Sequence, residues 1–459
     1  MKKIYLFLLL PYLACTTEKP NIEFWLTDPE AGILFQKQEI EFTDSSPIEI
    51  LIDPETTYQS MDGFGFTLSQ GSARHLLGMS DSARSSILKE LFSDEDNAIR
   101  ISYLRLSVAA SDLNEFPFSY DDLKDSLAID PNLEHFNLSY DTLDVIPVLK
   151  EILSINPDIQ LMASPWSPPS WMKDNKDTRG GSLLEDYEPV YADYLVKYIQ
   201  EMEKLGIVID ALTIQNEPLH PGNNPSLLML PEQQARFIGM DLGPAFQNAG
   251  ITTKIIVYDH NADRPDYPIT VLKDSLAYPF IDGSAFHLYG GEIEALSEVH
   301  QAFPDKNIYF TEQWVGAPGN LPGDLSWHVK NLVIGGSRNW AKTVLEWNLS
   351  SNPALTPHTD RGGCDRCLGA ITIDGDVVTR NPAYYIIAQA SKFVDPGSVR
   401  MDSSEPEGLA NVAFERPDGK TVLIVLNESS AQKSFTIKEG DQSFSLSLNS
   451  GAVGTFVLE

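Results

Sequence analysis

Ala211-Leu-Thr-Ile-Gln-Asn-Glu217-Pro218 is a short apolar run that stops on a carboxylate, and Ile308-Tyr-Phe-Thr-Glu312-Gln313 repeats the arrangement farther along the chain. A brief run rich in β-branched and apolar residues, bounded by polar ones, reads as a buried strand. Similar runs lie at residues 63–68, 101–106, 159–163, 211–215, 254–258, 283–287, 307–310 and 343–347. Amphipathic stretches separate them. In residues 187–205, Tyr191, Leu195, Tyr198, Ile199 and Met202 recur near helical spacing, and residues 143–153 show the same period. Pro231, followed by Glu232 and Gln233, marks another helix start, because proline is tolerated in the first turn. Strands alternating with helices predict an α/β fold with a parallel sheet, and eight such units predict a (β/α)8 TIM barrel.

After Ser391 the pattern changes to period-two alternation without helices, at residues 408–414, 421–427, 432–437, 443–448 and 453–458. Pro-Asp-Gly and Asn-Ser-Gly turns between them predict a side antiparallel β-sandwich. Residues 22–52 contain similar short strands, as at 48–52. The expected organisation is therefore a barrel over 55–390 and a split sandwich made of 21–54 and 391–459.

Reactive groups of such barrels sit at the C-terminal strand ends, where the βα loops converge. Glu217 follows the fourth run and Glu312 the seventh, so the fold would bring two distant carboxylates to one mouth. Breaking a glycosidic bond needs one carboxyl group to protonate the leaving oxygen and another to attack or stabilise the sugar carbon. At about 5–5.5 Å separation the outcome is retention through a covalent glycosyl-enzyme. Glu217 is then the general acid/base and Glu312 the nucleophile. Asn216 is placed to donate its amide to the sugar 2-hydroxyl, or else to bond its own loop.

The chain carries 65 acidic and 33 basic side chains, a formal net charge of −32. That charge repels phosphate backbones and argues against a nucleic-acid partner. Met1-Lys2-Lys3, the apolar run to Leu10 and Leu13-Ala14-Cys15 read as an export signal within residues 1–20. The run is shorter than the roughly 20 apolar residues of a membrane span. Cys15 is a candidate for lipidation, which predicts a periplasmic or cell-surface protein whose only membrane contact is a lipid anchor; an ordinary cleaved signal is the alternative. Cys364 and Cys367 close a short spacing that suits a structural disulfide in an oxidising compartment. A redox pair lacks a thioredoxin-like βαβ context, and a zinc site lacks an evident second ligand pair.

Several segments, taken together, resemble glycoside hydrolase family 30, the glucosylceramidase and β-1,6-glucanase family. They are Gln59-Ser-Met-Asp-Gly-Phe-Gly-Phe66, Tyr103-Leu-Arg-Leu-Ser-Val-Ala-Ala-Ser-Asp112, Leu161-Met-Ala-Ser-Pro-Trp-Ser-Pro-Pro-Ser-Trp171, Gln215-Asn-Glu-Pro218 and Tyr309-Phe-Thr-Glu312. The resemblance implies the same roles for Glu217 and Glu312 as the strand argument. It implies that Asp112 and Trp166 hold the sugar beside the scissile bond, and that His287, Tyr289, Trp347 and Asn348 complete the site. It further implies that Arg105 orients the carboxylates from beneath and that Tyr289 bonds the nucleophile. Trp171 is expected to pack in the core. No cofactor and no metal are implied, and Asp259-His260-Asn261 is read as the loop after the fifth strand.

Leu288 stands where animal glucosylceramidases carry an aromatic residue, and Gly362-Gly-Cys-Asp-Arg-Cys-Leu-Gly369 is similar to the β-1,6-glucanase subgroup. The expected substrate is therefore a β-linked glucoside, foremost β-1,6-glucan or its oligosaccharides. Glucosylceramide, xylan and a non-catalytic glycan-binding lipoprotein are the rival readings.

Overall fold

Eight parallel strands close into a barrel in the computed structural model, which describes residues 22–125, 128–138 and 140–459. They are β1 (Gly63–Leu68), β2 (Tyr103–Val108), β3 (Gln160–Pro165), β4 (Ala211–Thr213), β5 (Lys254–Ala262), β6 (Ile281–Gly291), β7 (Asn307–Glu312) and β8 (Ala341–Asn348). Thr343 of β8 pairs with Gly63 of β1, which closes the circle. A Cβ on Gly65 would sit 1.8 Å from the Tyr103 carbonyl oxygen, so only glycine lets β1 and β2 approach this closely.

Inside the barrel, Tyr103, Met162, Ala211, Ile256, Ala285, Tyr309 and Leu345 form one apolar layer. Side chains alternate along a strand, so the residues two positions farther on also face inward. On β2, β3, β4, β6 and β7 these are Arg105, Ser164, Thr213, His287 and Thr311, and on β8 Trp347. The inner layer is a packed plug, and the polar layer above it is the floor of the mouth.

Strand β5 breaks the alternation. Tyr258 and Asp259 have φ of +74° and +68°, and the pairing register of β5 with β6 shifts between Tyr258 and His260. This bulge turns Asp259 inward where plain alternation from Ile256 would place Tyr258. Asp259-His260-Asn261 accordingly lies within β5, not in the loop expected after it. Other boundaries also move: β2 begins at Tyr103 rather than at 101, and β4 holds only three residues.

Helix Glu188–Lys204 buries Tyr191, Leu195, Tyr198, Ile199 and Met202 along one face, with proline in its first turn. Helix Pro382–Ser391 is buried at every position and lies between the barrel and the second sheet. Gln389 fixes it there, donating to Thr27 Oγ1 at 2.6 Å and accepting from Thr455 Oγ1 at 2.7 Å.

The β-sandwich domain is one nine-stranded sheet ordered Ile33–Gln38, Ile22–Asp28, Val453–Leu458, Thr421–Asn427, Leu409–Glu415, Val399–Ser403, Glu49–Ser60, Lys433–Glu439 and Gln442–Leu448. Strand Thr421–Asn427 is apolar at five consecutive positions because both its faces are buried. Leu423 and Val425 enter the sandwich core with Phe24, Ile50, Phe435 and Phe456. Val422, Ile424 and Leu426 face the other way, into the large core shared with the barrel. Among the described residues no helix is long and apolar enough to cross a membrane; Cys15 lies outside them.

Candidate active site

Glu217 sits four residues past the end of β4, in backbone with φ of +46°. That left-handed conformation is costly for a residue with a side chain and persists where surrounding contacts impose it. The contact is visible: the Glu217 amide donates to the Asp259 carbonyl oxygen at 2.9 Å, so the β5 bulge holds the turn. Glu312 ends β7, after another register shift between Phe310 and Glu312. One carboxylate oxygen of each glutamate and a ring nitrogen of His287 lie within 4.8 Å of one another. Both glutamates are buried, 8% and 6% exposed.

Their surroundings differ. Glu312 Oε2 accepts from Arg105 Nη1 at 2.5 Å and Oε1 from the Tyr289 hydroxyl at 2.9 Å. The Glu217 carboxylate accepts from the Asn223 amide at 3.0 Å and has His287 Nδ1 at 3.5 Å. Burial opposes ionising either, and two charges this close oppose one another, so the pair titrates as a unit. The guanidinium and the tyrosine place the standing charge on Glu312. A proton then belongs to the Glu217 and His287 pair. Burial works against a charged His287, but Glu312, Asp259 and Glu217 outweigh it and push the imidazole up to about 9.

Asp259 is the centre of the floor. It accepts from Arg105 Nη2 at 2.8 Å, Thr213 Oγ1 at 2.6 Å, Thr311 Oγ1 at 2.6 Å and Ser164 Oγ at 3.1 Å, and its Oδ1 meets His287 Nε2 at 3.1 Å. Burial opposes its charge, yet Arg105 and His287 hold it well below the usual carboxylate range. Arg105 is fully buried and also donates to Asn216 Oδ1 at 2.7 Å and to Ser164 Oγ at 3.0 Å. It therefore touches Glu312 directly and reaches Glu217 only through the neighbouring Asn216. A divalent cation gripped by Glu217, His287 and Glu312 would have to share Glu312 with that guanidinium, so these residues do not fit a metal centre.

Trp166 directly follows β3 and lies 5.4 Å, centroid to centroid, from Trp347 of β8. The Arg105 guanidinium lies 4.9 Å from the Trp166 ring and 5.8 Å from the Trp347 ring. Asp112 is 7% exposed, and burial followed by the charges of Glu312 and Glu217 pushes its carboxyl up to about 8. Asn348 donates to the carbonyl oxygens of Ser350 and Cys367. Cys364 and Cys367 are disulfide-bonded, and Cys367 packs with Trp166, Trp347 and Leu113. Thr359, in the same loop, donates its amide to the Asp112 carbonyl at 2.9 Å. Trp171 is buried, with its indole N–H on Asp121. Arg105, Asp112, Trp166, Asn216, Glu217, His287, Tyr289, Glu312 and Trp347 thus lie around one mouth, and Cys15 lies outside the described residues. Sequence reasoning passed over Asp259 and Asn223; only the position of Asp259 at the end of an apolar run hinted at its place.

A closed (β/α)8 barrel with a buried carboxylate pair at its C-terminal mouth has the arrangement of a glycoside hydrolase. Family models for the glycosyl hydrolase family 30 TIM-barrel domain and β-sandwich domain match residues 61–394 and 397–456. The chain belongs to glycosyl hydrolase family 30. It is 33% identical over 428 residues to an endo-1,6-β-D-glucanase of Aspergillus fumigatus, covering 87% of this chain and 85% of that one. It is 30% identical over 421 residues to the lysosomal acid glucosylceramidase of Mus musculus, covering 86% and 80%. A solved endo-β-1,6-glucanase superposes with a TM-score of 0.88 at 34% identity, covering 95% of this chain and 99% of the other.

Proposed function

We propose that the protein hydrolyses β-1,6-linked glucan, or its oligosaccharides, with retention of anomeric configuration. The observation that carries this is the approach of the Glu217 and Glu312 carboxylates to within 4.8 Å, the short spacing of double displacement rather than the roughly 6.5–9.5 Å that admits a water between them. In the first step Glu217 gives its proton to the glycosidic oxygen as that oxygen leaves C1, and a Glu312 oxygen bonds to C1. In the second, Glu217 takes a proton from water, the water oxygen bonds to C1, and Glu312 departs as a carboxylate. Arg105 and Tyr289 hold Glu312 charged and aimed before each attack.

Asp112, Trp166, Asn216, His287, Trp347 and Asn348 hold the glucosyl unit in this account. Buried polar atoms without hydrogen-bond partners support it: Trp166 Nε1, His260 Nδ1, Gln313 Oε1 and Asn348 Oδ1 cluster around this mouth. Folded proteins seldom leave such atoms unmet, and sugar hydroxyls are suitable partners. The β-1,6 linkage is favoured by the glucanase relatives and by the disulfide loop against the tryptophan pair. Initial rates on pustulan, xylan and glucosylceramide test it. Pustulan should be cleaved at least about tenfold faster, an advantage of about 1.4 kcal/mol in transition-state binding; a faster rate on either of the others overturns the linkage.

We also propose export and lipid attachment at Cys15, supported by the leader pattern. Metabolic palmitate labelling should disappear in Cys15→Ala, and unchanged labelling contradicts it.

A further inference from the structure

The connection between β2 and β3 gathers a second group of ligating side chains. One donor atom each from Asp121, Asp130 and His135 lies within 4.8 Å of the other two. Asp121 is fully buried. Its Oδ2 accepts from Trp171 Nε1 at 3.1 Å, but its Oδ1, closed off from solvent, meets no hydrogen-bond donor. Asp130 is 5% exposed and points Oδ2 at the His135 amide and at His135 Nδ1, both at 2.8 Å. Burial, and then the adjacent charge of Asp130, push Asp121 up to about 6. Two carboxylates thus face one another with an imidazole beside them and an oxygen left without a partner, which is unusual for a buried acceptor. A small cation satisfies all three groups at once.

We propose that Asp121, Asp130 and His135 form a structural divalent-cation site that takes a zinc-like transition ion. The imidazole selects the ion, because calcium and magnesium prefer all-oxygen shells whereas zinc accepts nitrogen and carboxylate together. Zinc binds its ligands at about 2.0–2.2 Å, and the three donor atoms already lie within 4.8 Å of one another. A water fills the fourth position on the His135 side, whose side chain is 67% exposed. All three ligands lie in the connection between β2 and β3, which also carries Asp112. Trp171, in the segment that follows Trp166, donates to both the side chain and the carbonyl of Asp121 and ties that segment to the cluster.

Protein freed of metal by chelation and then titrated with ZnCl2 by calorimetry and thermal denaturation tests this. The expected result is a saturable site of one zinc with a raised melting temperature, at least about tenfold weaker in Asp130→Asn and His135→Ala and unchanged in Glu312→Gln. His135 is exposed, so His135→Ala keeps the test valid even where Asp130→Asn fails to fold. The proposal is overturned by the absence of saturable zinc binding, by equal binding in His135→Ala, by loss in Glu312→Gln instead, or by calcium binding more tightly than zinc.

Discussion

Asp259 gathers five groups on one buried carboxylate, a role at which its position after an apolar run only hints. Glu217 and Glu312 were legible because each ends an apolar run, and strand ends of a barrel are where chemistry sits. Asp259 needed the bulge at Tyr258 and Asp259, a backbone detail that alternation alone argues against. Asp259→Ala leaves Arg105 buried without one of its two charge partners, and thermal denaturation should show a loss of about 3–5 kcal/mol. A loss below about 1 kcal/mol would show the network to be dispensable. His287 makes a second prediction at this scale. Its imidazole is raised to about 9, so the proton shared with Glu217 is kept below that pH and lost above it. The basic limb of kcat/KM should therefore fall near 9 and move to lower pH in His287→Gln, since the group raised to about 9 is then gone. An unmoved limb would place the working proton elsewhere.

Among the elements, most barrel strands were visible as short apolar runs because both faces of a parallel strand are buried. β4 was overextended by the same rule: the run continues to Gln215, but the backbone leaves the ladder after Thr213 to form the turn that carries Glu217. Val399–Ser403 escaped notice because it offers only two apolar residues, Val399 and Met401; Arg400 is nonetheless buried, its guanidinium 3.4 Å from the centre of the Tyr58 ring. Helix Pro382–Ser391 has no polar face for the opposite reason, being enclosed by barrel and sheet. Ile387 is wholly buried there, and Ile387→Ala should cost about 2–5 kcal/mol in a denaturant titration, the range for a deep cavity. A cost near zero would mean that the helix is not part of the shared core.

Across the whole molecule the two sheets behave as one body. Strand Thr421–Asn427 supplies residues to both cores, and Arg338 of the barrel donates to the Asn411 carbonyl at 2.6 Å and the Ser403 carbonyl at 2.7 Å in the sandwich. The antiparallel alternation after Ser391 was readable, whereas the pairing order of the nine strands was not, because register across distant segments depends on which face meets the barrel. The purpose of this assembly is to hold two acids from separate strands of the barrel across one sugar. An activated 2-deoxy-2-fluoro-glucoside slows the second step and traps the first, and digestion with mass spectrometry then locates the bound sugar. The account predicts one fluoroglucosyl group per chain, on the peptide bearing Glu312. Label on Glu217, on any other residue, or on none while the enzyme still turns over substrate, would contradict it.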